Sequence, residues 1–215
     1  MQKDMRKKWI IIATIIGTVL ISAVAVGPIM SDVETPEYEV VKSDRNIEIR
    51  LYEPMIIAKV LMDGKREDAI GDGFRLLADY IFGNNTVKQY TDMASLKKKQ
   101  RKGRTIAMTA PVQQQSADSS WQVSFVMPSK HSMKELPKPG NDRVTLKEIP
   151  AKQFIVITFS GMNSDANVKK YEDKLMQYIK TNDILFVGSP KYAFYNPPWT
   201  LPPMRRNEIM IEIEQ

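Results

Sequence analysis

The chain has 215 residues, no cysteine, one histidine and a formal net charge of +6. Without cysteine there are no disulfides, thiolate metal sites or cysteine nucleophiles, and a single histidine excludes a metal site that needs two imidazoles. The charge is local: residues 1–26 carry +3, the run Lys97-Lys98-Lys99-Gln100-Arg101-Lys102-Gly103-Arg104 carries +6, and the rest of the chain is −3, so the basicity does not describe a nucleic-acid-binding surface and no nucleic-acid partner is expected.

The chain opens with Lys3, Arg6, Lys7 and Lys8, followed by Trp9–Val26, eighteen residues without a charge. At ~1.5 Å per residue such a helix is ~27 Å long, close to the ~30 Å hydrocarbon core of a bilayer. The basic flank stays in the cytoplasm, which sends the C-terminal part across the membrane. A cleaved signal peptide is the alternative, with Ala23-Val24-Ala25 as its A-x-A site, giving a secreted or periplasmic form; the length of the apolar run favours a retained anchor. Residues 1–30 are therefore assigned to flank and anchor, and residues 31–215 to one folded domain, long enough for a substantial single core.

The domain reads twice. The first copy runs Ile47–Tyr52, Met55–Leu61, an amphipathic stretch over Arg66–Phe82, then Ile106–Val112 and Trp121–Pro128. The second runs Val144–Ile149, Phe154–Phe159, an amphipathic stretch over Asp165–Lys180, then Lys191–Tyr195 and Glu208–Ile213. Ile47, Ile49 and Leu51 alternate with polar neighbours, as do Ile209, Ile211 and Ile213, which is the period of a half-buried strand. Ile70, Phe74, Leu77 and Ile81 share one helical face opposite Asp68, Asp72, Arg75 and Asp79. Gly83-Asn84-Asn85 supplies a helix stop, and Asn163 or Ser164 a cap for the second helix. The spacing predicts an α+β domain of two ββαββ halves about a pseudo-two-fold axis, with the basic run as an insertion in the first half. The junction of two such halves is a common place for a ligand cleft.

Catalytic chemistry is sparse. His131 lies in Ser129-Lys130-His131-Ser132 and reads as an exposed loop residue far from any apolar cleft. There is no G-x-S-x-G elbow, and Gly71 and Gly73 fall inside a helix pattern rather than a phosphate loop. The acidic helix face reads as solvated, and no enzymatic activity is expected. Most of the thirteen methionines read as core, with a few available to line a pocket for a flat apolar ligand or to ligate an iron. The basic run reads as a solvated loop tip, or as a contact for anionic lipid worth ~1 kcal/mol per residue near a bilayer.

Ile106-Ala107-Met108-Thr109-Ala110-Pro111-Val112 resembles the MTAPV signature of the SOUL/heme-binding protein family. Phe125-Val126-Met127-Pro128-Ser129 resembles that family's next strand end. Tyr195-Asn196-Pro197-Pro198-Trp199 with Arg205-Arg206-Asn207-Glu208-Ile209 is similar to its C-terminal signature, and Tyr38–Val41 and Ile47–Tyr52 to its opening strands. The resemblance implies a distorted antiparallel β-barrel with two helices, and non-covalent binding of heme or a related tetrapyrrole in an apolar cleft beside the first helix. Some members carry an axial histidine on the opening strand; this chain has Leu51 there. The resemblance therefore implies heme held without a histidine ligand, with Leu51, Phe74, Leu77 and Met108 as apolar wall and Arg205 and Arg206 as carboxylate partners.

Three functions follow from these readings. One is a membrane-tethered tetrapyrrole binder that carries or buffers heme. The second is a binding module for other apolar small molecules. The third is an enzyme acting on tetrapyrroles, which no residue constellation recommends.

Overall fold

The computed structural model describes residues 33–86 and 103–214. Trp9–Val26 and most of the basic run lie outside the described residues, and among the described residues no helix is long and apolar enough to cross a membrane. Eleven strands and two helices follow in order: β1 (Tyr38–Asp44), β2 (Ile47–Tyr52), β3 (Met55–Met62), α1 (Arg66–Ile81), β4 (Asn85–Thr86), β5 (Val112–Ala117), β6 (Ser120–Val126), β7 (Lys138–Pro139), β8 (Thr145–Ile149), β9 (Lys152–Phe159), α2 (Asp165–Thr181), β10 (Phe186–Phe194) and β11 (Asn207–Ile213).

Nine strands form one antiparallel sheet in the order β1-β2-β9-β11-β10-β5-β6-β3-β8. Leaving out β1, this order is unchanged when the two repeats are exchanged (β2 with β8, β3 with β9, β5 with β10, β6 with β11). The pseudo-two-fold axis passes between β5 and β10, which pair from Lys191 with Gln115 to Phe194 with Val112. Each repeat lends its first strand to the other: β2 pairs with β9, and β8 with β3.

This order forces the sheet to curl. β2 and β3 stand six strand spacings apart, ~29 Å on a flat sheet at ~4.8 Å per spacing. Yet only Glu53 and Pro54 join them, and the step from Tyr52 to Met55 spans at most ~11 Å. The short connection from β8 to β9 through Pro150 and Ala151 imposes the same closeness. The sheet therefore rolls until its ends approach, but β1 and β8 do not pair and the roll is not closed. This corrects the expected barrel. The final strands are poor partners: β1 is exposed along almost its whole length, and β8 runs into Pro150, which has no N–H to give a ladder.

Both helices pack on the outside of the roll. Leu77, Tyr80 and Ile81 of α1 are buried against Ala58, Val60, Val123 and Phe125, and Val168, Leu175 and Ile179 of α2 against Ile155, Ile157, Ile209 and Ile211. Ile70 and Trp121 touch both clusters. Gly73 makes the close approach of α1 to the sheet, since a Cβ there would stand 2.7 Å from the Cβ of Val123. Among the described residues no element covers the opposite face, yet Arg50, Val156, Ala193, Glu208 and Met210 are buried on it. The curl itself shields them, so that face is the interior of the roll.

Helix ends follow the expected chemistry in part. α1 stops at Gly83 (φ 121°), where the Gly83 N–H donates to the Tyr80 carbonyl and the Asn84 N–H to the Asp79 carbonyl. Ser164 occupies the N-cap of α2, but its side chain makes no cap bond. The Asp165 N–H donates instead to the Glu67 carboxylate of α1 at 3.2 Å. Arg66 joins the same two helix starts through Asp165 and the Asn163 carbonyl, each at 2.5 Å.

The third strand of the first repeat also differs from expectation. Ile106–Ala110 is not a strand, and pairing begins at Val112. Pro111 has no N–H to offer a ladder. Ile106 donates its N–H to Ile81, Ala110 to Glu34, and the Thr109 hydroxyl donates to the Val126 carbonyl at 2.5 Å. The conspicuous Met-Thr-Ala-Pro stretch is thus a strap that ties the N-terminal segment, the end of α1 and the end of β6 together.

Candidate functional site

A groove of about 680 Å³ opens at the seam of the roll. The two short turns that cross the seam form its sides: Glu53 and Pro54 on one, Pro150 and Ala151 on the other. Its floor is apolar, from Met55, Ile56, Val126, Met127 and Ile149. Glu34, Glu37, Glu53 and Glu148 stand exposed at the rim. The N-terminal segment is fastened beside it, with the Glu53 N–H donating to the Glu37 carbonyl at 3.1 Å and the Ser129 N–H to the Glu34 carboxylate at 2.6 Å.

His131 also lines the groove and is half-buried. The sequence reading set it far from any cleft, and the structure corrects that. Residues after β6 turn back at Pro128, where the His131 N–H donates to the Pro128 carbonyl, and this fold-back brings the imidazole to the wall. Burial, with Arg104 and Lys130 nearby, holds its pKa below the ordinary value, so the ring is neutral near pH 7. No group of three or more metal-ligating side chains occurs among the described residues.

Inside the roll a charged network fills the end near β11. Glu208, with no solvent exposure, accepts from Arg50 Nη1 at 3.0 Å, Arg206 Nη2 at 2.7 Å and the Tyr195 hydroxyl at 2.7 Å. Arg50 also donates to Glu48 at 2.7 Å and lies over the Tyr38 ring, while Arg206 lies over the Tyr195 ring. Burial opposes the charge on both arginines, but Glu208 outweighs it and holds their pKa values above the ordinary one. Burial and the same carboxylate push the Tyr195 phenol up. With two guanidiniums against it, Glu208 is a satisfied structural charge rather than a free carboxylate awaiting a cation.

The six residues named from the sequence fall in four places, and none lines the groove. Phe74, Leu77 and Met108 come together in the core under α1, where Phe74 meets Phe125 edge-on at 5.4 Å between ring centroids and Leu77 has no exposure. Leu51 is half-buried on β2, on the side of the sheet that Ile47 and Ile49 present to α2. Arg206 belongs to the Glu208 network. Arg205 pins the preceding loop by donating to the Thr200 carbonyl at 2.7 Å and to the Pro198 carbonyl. The sequence reading passed over Glu53, Pro54 and Pro150. Their signal was short gaps between predicted strands, two residues between Tyr52 and Met55 and four between Ile149 and Phe154, tight enough to fix where the sheet ends meet.

The family described as SOUL heme-binding protein matches residues 33–212. No curated protein matches the chain. Among solved structures, the C-terminal domain of EcmrR is similar, with 12% identity and a TM-score of 0.55 over 83% of this chain and 98% of that one. A conserved protein from Listeria innocua is similar at 9% identity and a TM-score of 0.51, over 80% of this chain and 93% of that one. These likenesses show a shared fold. The chain belongs to the SOUL heme-binding protein family, a family of binding domains.

Proposed function

We propose that this member of the family holds heme or a related tetrapyrrole in the seam groove and carries or buffers it outside the cytoplasm, tethered to the membrane through Trp9–Val26. The observation that carries the reading is the groove itself: about 680 Å³, with an apolar floor and one neutral imidazole in its wall. That volume lies in the ~300–1,000 Å³ range of small-molecule sites, and the floor matches the apolar face of a macrocycle. Met55, Met127 and His131 are the groups there with lone pairs suited to iron, and the imidazole is the strongest donor of the three. Glu34 follows Val26 by eight residues. Extended chain of that length spans at most ~29 Å, so a tether would hold the groove close to the bilayer. The basic run Lys97–Arg104 would add contacts to anionic head groups.

The four rim carboxylates favour a second reading, a site for apolar cations. Titrating the full-length protein with hemin, metal-free protoporphyrin and a cationic apolar dye separates the two. Saturable one-to-one binding of both tetrapyrroles is expected, with His131→Ala changing the hemin spectrum and leaving metal-free protoporphyrin affinity unchanged. Tight binding of the dye alone would replace the first reading with the second.

A further inference from the structure

A second cavity adjoins the groove. Met55, Ile149 and Pro150 are shared with this narrow cavity of about 20 Å³, which leads into the interior of the roll. A water needs roughly 10–15 Å³ of such space, so this recess has room for a carboxylate's oxygens and none for a ring. Phe154 and Met210 give it apolar walls. Two polar groups face it without a hydrogen bond or ion pair among the described residues. The Gln113 side chain, 4% exposed, makes no hydrogen bond to any described residue. Lys191 has no carboxylate within ion-pair distance among the described residues, and its Nζ lies 4.9 Å from the centre of the Phe154 ring. The neighbouring Lys152 is already matched, with Nζ donating to Glu212 at 2.6 Å. Buried amides are normally paired; the Gln113 amide and the half-buried Lys191 ammonium keep only residual solvent contact in its place, which a ligand carboxylate would replace.

We propose that Lys191 and Gln113 form the carboxylate-binding end of the seam groove, taking one propionate of the tetrapyrrole into the roll while the ring stays on the apolar floor. The inference rests on the tetrapyrrole reading and adds an orientation to it. A ring carrying carboxylates is repelled at the rim by Glu34, Glu37, Glu53 and Glu148 and attracted inward by Lys191. Burial pushes the Lys191 ammonium down to about 8, with Glu212 opposing and Lys152 assisting that shift. At pH 7 the group still carries most of its charge, and an anion at the recess relieves its isolation.

The test compares metal-free protoporphyrin with its dimethyl ester, the same ring without carboxylates, by fluorescence titration of the full-length protein at pH 7. Wild type should bind the diacid more tightly than the ester. Lys191→Met and Gln113→Leu should each weaken diacid binding, by about 10-fold or more for the lysine as expected for a lost charge-assisted hydrogen bond. Both should leave ester binding unchanged, which also reports that the variants are folded, and Lys191→Arg should restore most of the preference. Equal loss for diacid and ester, or no loss for either, overturns the carboxylate end while leaving tetrapyrrole binding in place. Failure of wild type to bind either porphyrin overturns both.

Discussion

Glu208→Gln isolates the charge that holds the interior network together. The amide keeps the size of the side chain but removes the negative charge between Arg50 and Arg206, and sets NH₂ protons against donors. Removing one partner of a buried ion pair costs ~3–5 kcal/mol. Two features hold the cost near the lower figure. Arg50 keeps Glu48 at 2.7 Å, and Arg206, 40% exposed, can turn toward water. About 3 kcal/mol in a domain of this size lowers Tm by ~6–12 °C. Circular dichroism melting of the full-length protein measures it. Asp173→Asn, which breaks the exposed pair with Lys169 at 2.9 Å, is the control and should shift Tm by no more than ~2 °C. Arg206→Met combined with Glu208→Gln should cost less than the two changes added together, because they share one interaction. A Tm for Glu208→Gln within ~2 °C of wild type would refute the view that this network is a sealed structural element.

Gly73→Ala should destabilise by ~1–3 kcal/mol through overpacking against Val123; Val123→Ala in the same chain should restore most of the loss, and failure to do so in denaturant melts would place the strain elsewhere. Lys191 gives a stability signature in alkali. Its folded pKa, about 8, lies below the unfolded value near 10.5, so between those pH values the unfolded chain holds a proton that the folded one lacks, and stability rises with pH. The rise is at most ~3 kcal/mol, less for the solvent contact the side chain retains, and Lys191→Met should flatten it; an unaltered slope in that variant would assign the titration to another group. Mass spectrometry of the membrane-purified protein should find residues 1–26 intact, whereas a mature N-terminus at Val26 would make that segment a signal peptide.

Much of the fold was legible because both helices bury one regular face against the sheet and seven strands carry apolar residues in recognisable runs. Ile47, Ile49, Ile209 and Ile211 alternate visibly, and the repeat is apparent once the two periods are laid side by side. β5 was hidden for a physical reason. Its inward and outward positions are Val112, Gln113, Gln114 and Gln115, and the two buried ones, Gln113 and Gln114, are polar. Gln114 is paired, with Nε2 donating to the Arg66 carbonyl at 2.7 Å. A hydrophobic pattern cannot report a strand whose buried side chains are amides. Meanwhile Ile106, Met108 and Ala110 advertise alternation on a segment whose hydrogen bonds go to the end of α1, the N-terminal segment and the end of β6. The candidate site was legible only in its parts. Met127 and His131 are remote in sequence from Glu34, Met55 and Pro150, and nothing in periodicity says that a loop after β6 folds back onto the turn after β8.

The position of the groove follows from strand exchange. In each repeat the first strand pairs with the other repeat, so the turn from β2 to β3 and the turn from β8 to β9 must both cross the gap between the sheet's ends. Two residues per turn leave no slack. The gap is thus held narrow by Glu53-Pro54 and Pro150-Ala151, yet cannot zip shut, because Pro54 and Pro150 withhold N–H groups from it and the terminal strands find no partner across it. A closed barrel of these strands would bury its interior completely. This open one leaves a groove at the seam, and near it stand Lys191 and Gln113, which have no hydrogen bond or ion pair among the described residues. Had Lys191 served the sheet alone, an apolar residue between Phe154 and Met210 would have been the less costly choice, since burying an ammonium without a partner is unfavourable. Its persistence under the only seam in the roll among the described residues ties the defect in the barrel to the chemistry of what enters it.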